Sequence, residues 1–225
     1  MSWLNSDDVL VQGALHHVGI HFAQNPTTAV LAGASEYRSF DGSCTMWKVD
    51  ALPTSLAQLH KFAEGLFLAQ PSVFFRRQAF ELVGPLAEDL HYAMDLDLWL
   101  RFARRYAIQT TPIELSWMRQ HDGAKTFADP LASLREVEHV LRTYEALVPA
   151  GVSRLSRKAI QMRISEALLH EGLRAYFVDN KKAAWLAVVC ALQKAPLILG
   201  RKIWLGLVLR LMLPMSLKSR FLRNP

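Results

Sequence analysis

Three polar constellations in this chain carry residue types suited to charged-oxygen chemistry. Near the start, Asn5-Ser6-Asp7-Asp8 follows the apolar pair Trp3-Leu4. Adjacent carboxylates suit a hard divalent cation whose other ligands are phosphate oxygens and water, or they cap a following helix. Asp95 and Asp97 stand two apart at the predicted start of an amphipathic helix, whose N-terminus favours their charge. A carboxylate held there can take a proton from a hydroxyl nucleophile if its pKa lies near the working pH; the plainer reading is a capped helix with an Asp97–Arg101 pair at i, i+4. The third constellation, Arg119-Gln-His121-Asp-Gly-Ala-Lys125, offers an imidazole that can ligate a metal and two cations that can hold phosphate. It also reads as an ordinary polar loop with a surface histidine.

The elements that must position these groups follow from spacing. Leu10, Ala14, Leu15, Val18 and Phe22 recur at helical period, with Asp7 or Asp8 as the expected cap. Ala29 to Ala34 reads as a strand, and Asp41-Gly42 as a turn sending the chain back through Cys44 to Val49. Leu56 to Leu68 reads as a helix, and Ser72 to Phe75 as a buried strand ending at Arg76-Arg77. Gly84-Pro85 closes a short helix. Asp95 to Arg105 is the clearest pattern, with Leu96, Trp99, Leu100 and Ala103 at i, i+3, i+4 and i+7. Ile108 to Met118 reads as extended, with Pro112 marking an edge or irregular strand. Asp129-Pro130 is an N-cap followed by Pro at the first helical position, ahead of the stripe Leu134, Val137, Leu141, Tyr144 and Val148. After Pro149-Ala150-Gly151, two helices over about 154–178 and 180–194 form a predicted antiparallel pair joined at Asp179-Asn180.

The chain has 225 residues, 51% of them hydrophobic, which excludes a disordered tail, a collagen-like repeat and a disulfide-stapled mini-protein. Cys44 and Cys190 are too few for a disulfide framework or a Cys-based zinc site, and a reducing, cytoplasmic compartment is expected. The start shows no basic segment followed by an apolar run, so no cleaved export signal is expected. The net charge of +6 is unevenly placed: residues 1–150 carry 12 Lys and Arg against 17 Asp and Glu, and residues 151–225 carry 14 against 3. Residues 1–150 and 151–225 are therefore read as two regions, the second a basic helical tail. Pro196 to Leu217 is apolar but interrupted by Arg201, Lys202 and Arg210, and no uncharged stretch in it is longer than Ile203 to Leu209, far short of the roughly 20 residues needed to span a bilayer.

The ordered runs Gln70-Pro-Ser-Val-Phe-Phe-Arg-Arg-Gln-Ala-Phe80, Val83-Gly-Pro-Leu86, His91-Tyr-Ala-Met-Asp-Leu-Asp-Leu-Trp-Leu-Arg101 and Arg119-Gln-His121 resemble the second half of the family 2 glycosyltransferases. With Trp3 to Asp8 the resemblance covers roughly residues 2–147. It implies an incomplete GT-A, Rossmann-like α/β domain for nucleotide-diphospho-sugars, followed by an α-helical C-terminal region. By the same resemblance Asn5 to Asp8 match the acidic stretch that holds the donor diphosphate through Mn²⁺ or Mg²⁺, with Asp7 and Asp8 on the metal side and Asn5 where an acid is usual. Asp95 matches the general base, supported by Asp97, Trp99 and Arg101. His121 matches a metal or diphosphate ligand, with Arg119 and Lys125 adding positive charge. The implied reaction is inverting transfer of one sugar to an acceptor hydroxyl in cell-surface polysaccharide or lipid-linked glycan assembly. No Gln-x-x-Arg-Trp pattern of the processive synthases follows Trp99.

The resemblance also implies strands and helices ahead of the acidic stretch, which this sequence does not show. Two further expectations follow: a truncated remnant or scaffold, or a partner chain that supplies the missing half. A metal-dependent phosphoesterase is a weaker alternative, without an HxH or similarly dense ligand cluster to favour it. For the tail, docking on the first region and a helix in the interface of a membrane, peripheral on its cytoplasmic face, are both open. Nucleic acid is not expected as a partner, because the tail has no zinc-finger spacing, basic zipper region or single-strand-binding aromatic signature.

Overall fold

Five strands, β1 (Val9–Leu10), β2 (Val30–Ser39), β3 (Thr45–Val49), β4 (Val73–Phe75) and β5 (Ile108–Gln120), form one mixed sheet in a computed structural model that describes residues 1–120 and 128–212. Around it stand α1 (Ala14–Gln24), α2 (Leu56–Leu59), α3 (Arg77–Val83), α4 (Met94–Arg105) and α5 (Pro130–Thr143). The chain continues through α6 (Ala150–Phe177), α7 (Lys181–Lys194) and α8 (Lys202–Met212). The protein is thus mixed α/β, and it divides into two units, Met1–Ser156 and Arg157–Pro225.

In the first unit β2 is the central strand. It pairs in parallel with β5, antiparallel with β4 over Val30 to Ala32, and antiparallel with β3 over Ser35 to Arg38. β1 pairs antiparallel with β5 through Val9–Trp117 and Leu10–Ser116. Leu31, Phe74 and Leu115 pack with Ala14 and Val18 of α1 in one cluster, and Val49, Ala69 and Met118 form another with Tyr37, Leu52 and Phe67. Three buried serines tie the sheet to the turn Gln70–Ser72: Ser116 Oγ lies 2.6 Å from Ser72 Oγ and 2.9 Å from Ser35 Oγ. Ser35 Oγ also reaches the Ser116 carbonyl at 2.9 Å and Ser72 Oγ the Ala34 carbonyl at 3.1 Å, so each buried hydroxyl has at least one hydrogen-bond partner.

The irregular strand expected at Pro112 is present, within the sheet. The β2–β5 register runs from Gly33–Thr111 to Ala34–Glu114, so Pro112 and Ile113 fall in a bulge. There the missing N–H of proline interrupts no ladder bond. Gly33 permits the close approach: a Cβ on it would lie 2.3 Å from Leu115 Cδ1 and 3.0 Å from the Ile113 carbonyl oxygen.

The hairpin at Asp41-Gly42 forms as expected. Asp41 Oδ1 accepts hydrogen bonds from Ser39 Oγ at 2.6 Å and from the Ser43 N–H at 3.0 Å. The strand predicted to end at Ala34 runs on to Ser39, because the returning β3 supplies partners for its second half.

Several expectations are corrected. Asp7 and Asp8 do not cap α1; Gly13 stands at its N-cap, and Val9–Leu10 is drawn into the sheet by β5. The predicted helix Leu56 to Leu68 is reduced to α2 and a 3₁₀ turn, Phe62–Glu64, ended at Gly65 in a left-handed conformation. The break at Pro149 is real, but the next helix begins at Ala150 rather than 154 and takes Gly151 into its first turn. Asp129 and Asn180 do cap their helices, accepting from the N–H of Ala132 and of Ala183.

α4 fulfils its periodicity and exceeds it. Besides Leu96, Trp99 and Leu100, Leu98 and Phe102 are fully buried, because α2, α3 and α5 cover flanks that a one-sided helix would leave to water. Trp99 stacks on Trp3 at 5.6 Å between ring centroids and on Phe102 at 6.2 Å. These offset aromatic contacts fasten the segment before Asn5 to the helix that carries Asp95.

Candidate active site

Strand register alone brings the first acidic centre to the carboxyl ends of the parallel strands. Met118 of β5 is paired with Tyr37 of β2, and Tyr37 with Trp47 of β3. Val9 is paired with Trp117, so Asp8, one residue before β1, stands at the level of Met118. In open α/β sheets the crevice beyond the carboxyl ends of the strands is where ligands sit.

Local bonds define the Asn5 to Asp8 turn. The Asp8 N–H donates to the Asn5 carbonyl at 3.1 Å, and Asn5 Nδ2 donates both to Asp8 Oδ2 at 3.0 Å and to Gln70 Oε1 at 3.1 Å. Gln70 Nε2 donates to the Trp3 carbonyl at 2.6 Å. Asn5 therefore positions Asp8 by linking it to the turn at Gln70, a role an acid at residue 5 would reverse by repulsion. Asp7 and Asp8 keep part of their surface exposed.

The second acidic centre separates into two unlike carboxylates. Asp97 Oδ2 accepts from Arg101 Nε at 2.8 Å and its Oδ1 from the Tyr144 hydroxyl at 2.8 Å. Arg101 Nη1 then donates to the Val83 and Gly84 carbonyls at 2.8 and 2.9 Å. Asp97 is the hub of a network joining α4, the end of α3 and the end of α5. Burial, reinforced by the hydrogen bond to Asp97, pushes the Tyr144 phenol above its usual range.

Asp95 has no cationic partner among the described residues. Its Oδ1 accepts from the Leu96 N–H at 2.7 Å, and burial pushes its pKa up to about 6 despite the opposing effect of that N–H and its own. The side chain is enclosed by protein yet retains some accessible surface, the condition for a group that must both titrate near neutral pH and meet a ligand.

The two centres share one electrostatic environment. Burial pushes the Tyr37 phenol up to about 12, and the negative charges of Asp95 and Asp8 add to that shift. Both charges act on one phenol, at the residue where β2 is paired with Met118 of β5. Trp47, stacked on Tyr37 at 4.3 Å, is 40% exposed at the hairpin.

Glu136 of α5 holds the approach to Asp95. Its carboxylate accepts from the N–H groups of His91, Tyr92 and Ala93, with Tyr92 at 2.6 Å and the others at 3.0 Å. These groups immediately precede α4, whose N-cap, Ala93, has no side-chain oxygen to offer. Burial would raise the Glu136 pKa, but the three N–H bonds outweigh it and hold the carboxyl below its ordinary value.

Of the residues singled out from the sequence, Asn5 and Asp8 share one hydrogen-bonded turn, Asp97 and Arg101 share another network, Trp99 stacks on Trp3, and Asp95 accepts from the Leu96 N–H, while Asp7 stands partly exposed beside Asp8. Arg119 stands half-buried near the end of β5, and His121 and Lys125 lie outside the described residues. Tyr37, Glu136 and the linking role of Gln70 were not foreseen. Gln70 falls inside a recognised run, but nothing local marks Glu136, whose partners are more than forty residues away.

Among the described residues no group of three or more His, Cys, Asp or Glu side chains is placed to hold a metal ion. Asp7 and Asp8 nevertheless fit a hard cation of the magnesium type, which takes one or two protein carboxylates and completes its shell with phosphate and water. No family model matches the chain, and no curated protein is similar to it at a significant level.

Proposed function

We propose that the first unit is a family 2, GT-A type glycosyltransferase that moves one sugar from a nucleotide-sugar to an acceptor hydroxyl with inversion. The observation that carries the reading is the unlike state of two neighbouring carboxylates: Asp97 is locked by Arg101 and Tyr144, whereas Asp95 is enclosed, answered among the described residues only by backbone N–H groups, and raised to about 6. That is the state of a general base, and the charge of Asp8 reaches the same tyrosine.

In this reading Asp95 takes the proton of the acceptor hydroxyl as its oxygen attacks the anomeric carbon from the face opposite the diphosphate. The bond from that carbon to the diphosphate oxygen breaks, its electron pair leaves with the nucleoside diphosphate, and Asp95 later releases the proton to water. Asp7 and Asp8 would hold a Mn²⁺ or Mg²⁺ ion, joined by His121, which when bound supplies positive charge to the diphosphate. Asn5 and Gln70 keep the turn in place, and Arg119 and Lys125 add positive charge to the donor side. Glu136 fixes the entry to α4 and so the position of Asp95.

Calorimetric titration of nucleotide-sugars with Mn²⁺, paired with turnover assays, tests this. Wild type is expected to bind a donor only with the metal, Asp7→Ala and Asp8→Ala to lose that dependence, and folded Asp95→Asn to bind but not turn over. No binding of any nucleotide-sugar would leave the chain a scaffold or a part that needs a partner. Phosphate release from simple esters, lost in Asp7→Ala, would make it a phosphoesterase.

A further inference from the structure

The helical unit that follows Ser156 completes a core of its own and is left with an apolar surface. Leu169, Ala184, Val188, Ala191, Ile198 and Leu207 are buried together. Gly172 allows the close packing, since a Cβ there would lie 2.8 Å from Leu207 Cδ2 and 2.9 Å from Ala187 Cβ. Ser165 Oγ donates to the Ala191 carbonyl at 3.0 Å, and Arg201 Nε pairs with Glu166 at 3.0 Å, so the same unit also satisfies polar groups internally.

After that core is formed, each remaining element still exposes large apolar side chains. On α7, Ala184, Val188 and Ala191 face the core, while Trp185, Leu186 and Val189 lie open to solvent. On α8, Leu205, Leu209 and Met212 form an exposed stripe at i, i+4 and i+7, away from buried Leu207. The 3₁₀ segment Pro196–Gly200 between them exposes Leu197 and Leu199. Scattered apolar residues are normal on a surface, but a helix that is apolar on both sides is built to be covered on both.

The charge on this unit selects the cover. Its acids are few and each sits beside a base: Glu166 with Arg201, Glu171 with Arg174 at 2.8 Å, and Asp179 with Lys181 at 3.8 Å. The excess is cationic, and Lys182 and Lys202 stand exposed on the two helices that carry the apolar stripes. Aliphatic side chains and a tryptophan beside long-stemmed cations match the boundary between acyl chains and anionic headgroups. Nucleic acid would leave the leucines uncovered. Among the described residues no helix is long and apolar enough to cross a membrane, so contact would lie in the interface.

We infer that residues 157–212 lie on an anionic lipid surface, inserting the exposed side chains of α7 and α8 among the headgroups. Lipid contact is independent of whether the first unit transfers sugar.

Flotation of the full chain with vesicles tests it, comparing pure phosphatidylcholine with vesicles in which about one third is phosphatidylglycerol. Wild type is expected to float with the anionic vesicles at least about tenfold more strongly than with the zwitterionic ones, and to be released by salt. The triple change Leu205→Gln, Leu209→Gln and Met212→Gln should lower binding about tenfold or more with unchanged helicity, because all three side chains are exposed. Lys182→Glu with Lys202→Glu should do the same at low salt only. The inference is overturned if wild type ignores anionic vesicles, binds both kinds equally, or floats undiminished in the triple variant. It is also overturned if the unit instead binds duplex DNA, or if a concentration-dependent dimer lost in the triple variant replaces vesicle binding.

Discussion

The two units handle charge in opposite ways. In the first, almost every enclosed acid is answered: Glu36 by Lys48 and Arg38, both at 2.8 Å, Asp97 by Arg101 and Tyr144, Glu136 by three backbone N–H groups. Among the described residues Asp95 has only backbone N–H groups to answer it, and burial raises its pKa; Glu114, beside Glu36, is raised as well. In the second unit the acids are answered and the bases are in excess. Buried charge without compensation is costly and is retained where a ligand or reaction uses it. In one unit the contrast lies in an enclosed carboxylate at the start of α4; in the other it is a diffuse cationic, apolar surface. The first suits a reacting atom and the second an extended partner.

The contrast between Asp95 and Asp97 is open to direct attack. Asp95→Asn is expected to reduce turnover by about 10²- to 10⁴-fold with donor binding intact. Asp97→Asn should act mainly through stability, lowering the denaturation midpoint and turnover together. Equal loss of turnover in a fully stable Asp97→Asn would remove the distinction. With Asp95 as base, turnover should rise with pH and level off above about 6.

Glu136→Ala leaves three N–H groups ahead of α4 without their acceptor and is expected to cost about 2 kcal/mol in urea unfolding. Its folded pKa is depressed, so the stabilisation is present above the carboxyl's ordinary value and lost as pH falls through the depressed one. The difference between wild type and Glu136→Ala should therefore shrink in acid. A constant difference would mean that the carboxylate charge is not what holds the turn.

Asp95 has the opposite linkage. Its folded pKa is raised, so the folded state holds the proton more tightly and stability falls as pH rises from about 4 to about 6. Asp95→Asn should then stabilise the protein by about 1 to 2 kcal/mol at neutral pH and by little near pH 4, as expected where function keeps a poorly solvated charge. The smallest effect is expected for Tyr144→Phe, about 1 kcal/mol, since Asp97 keeps its bond to Arg101.

Much of the first unit was legible because its signals are local. The Asp129-Pro130 cap, the Asp41-Gly42 turn, the periodicity of α4 and the Asp97–Arg101 pair each depend on residues within a few positions of one another, where backbone geometry dictates who can meet. The failures share the opposite property. Asp7 or Asp8 reads as the cap of a helix holding Leu10, because the strand that claims Val9–Leu10 lies more than a hundred residues onward. The helix expected through Leu68 stops early at a glycine turn, a choice that periodicity does not record.

Residue types and spacing by themselves determined that this protein has an α/β region rich in acids followed by a basic helical one, and they singled out Asp7, Asp8, Asp95 and Asp97 as candidates. That Asp97 is held by an arginine and a tyrosine, while Asp95 has only backbone N–H partners among the described residues, was decided only when α5 brought Tyr144 and Glu136 against α4. A pKa is set by the groups and the solvent around a side chain in space, and two acids that look equivalent along the chain are made different by neighbours that the chain order does not reveal.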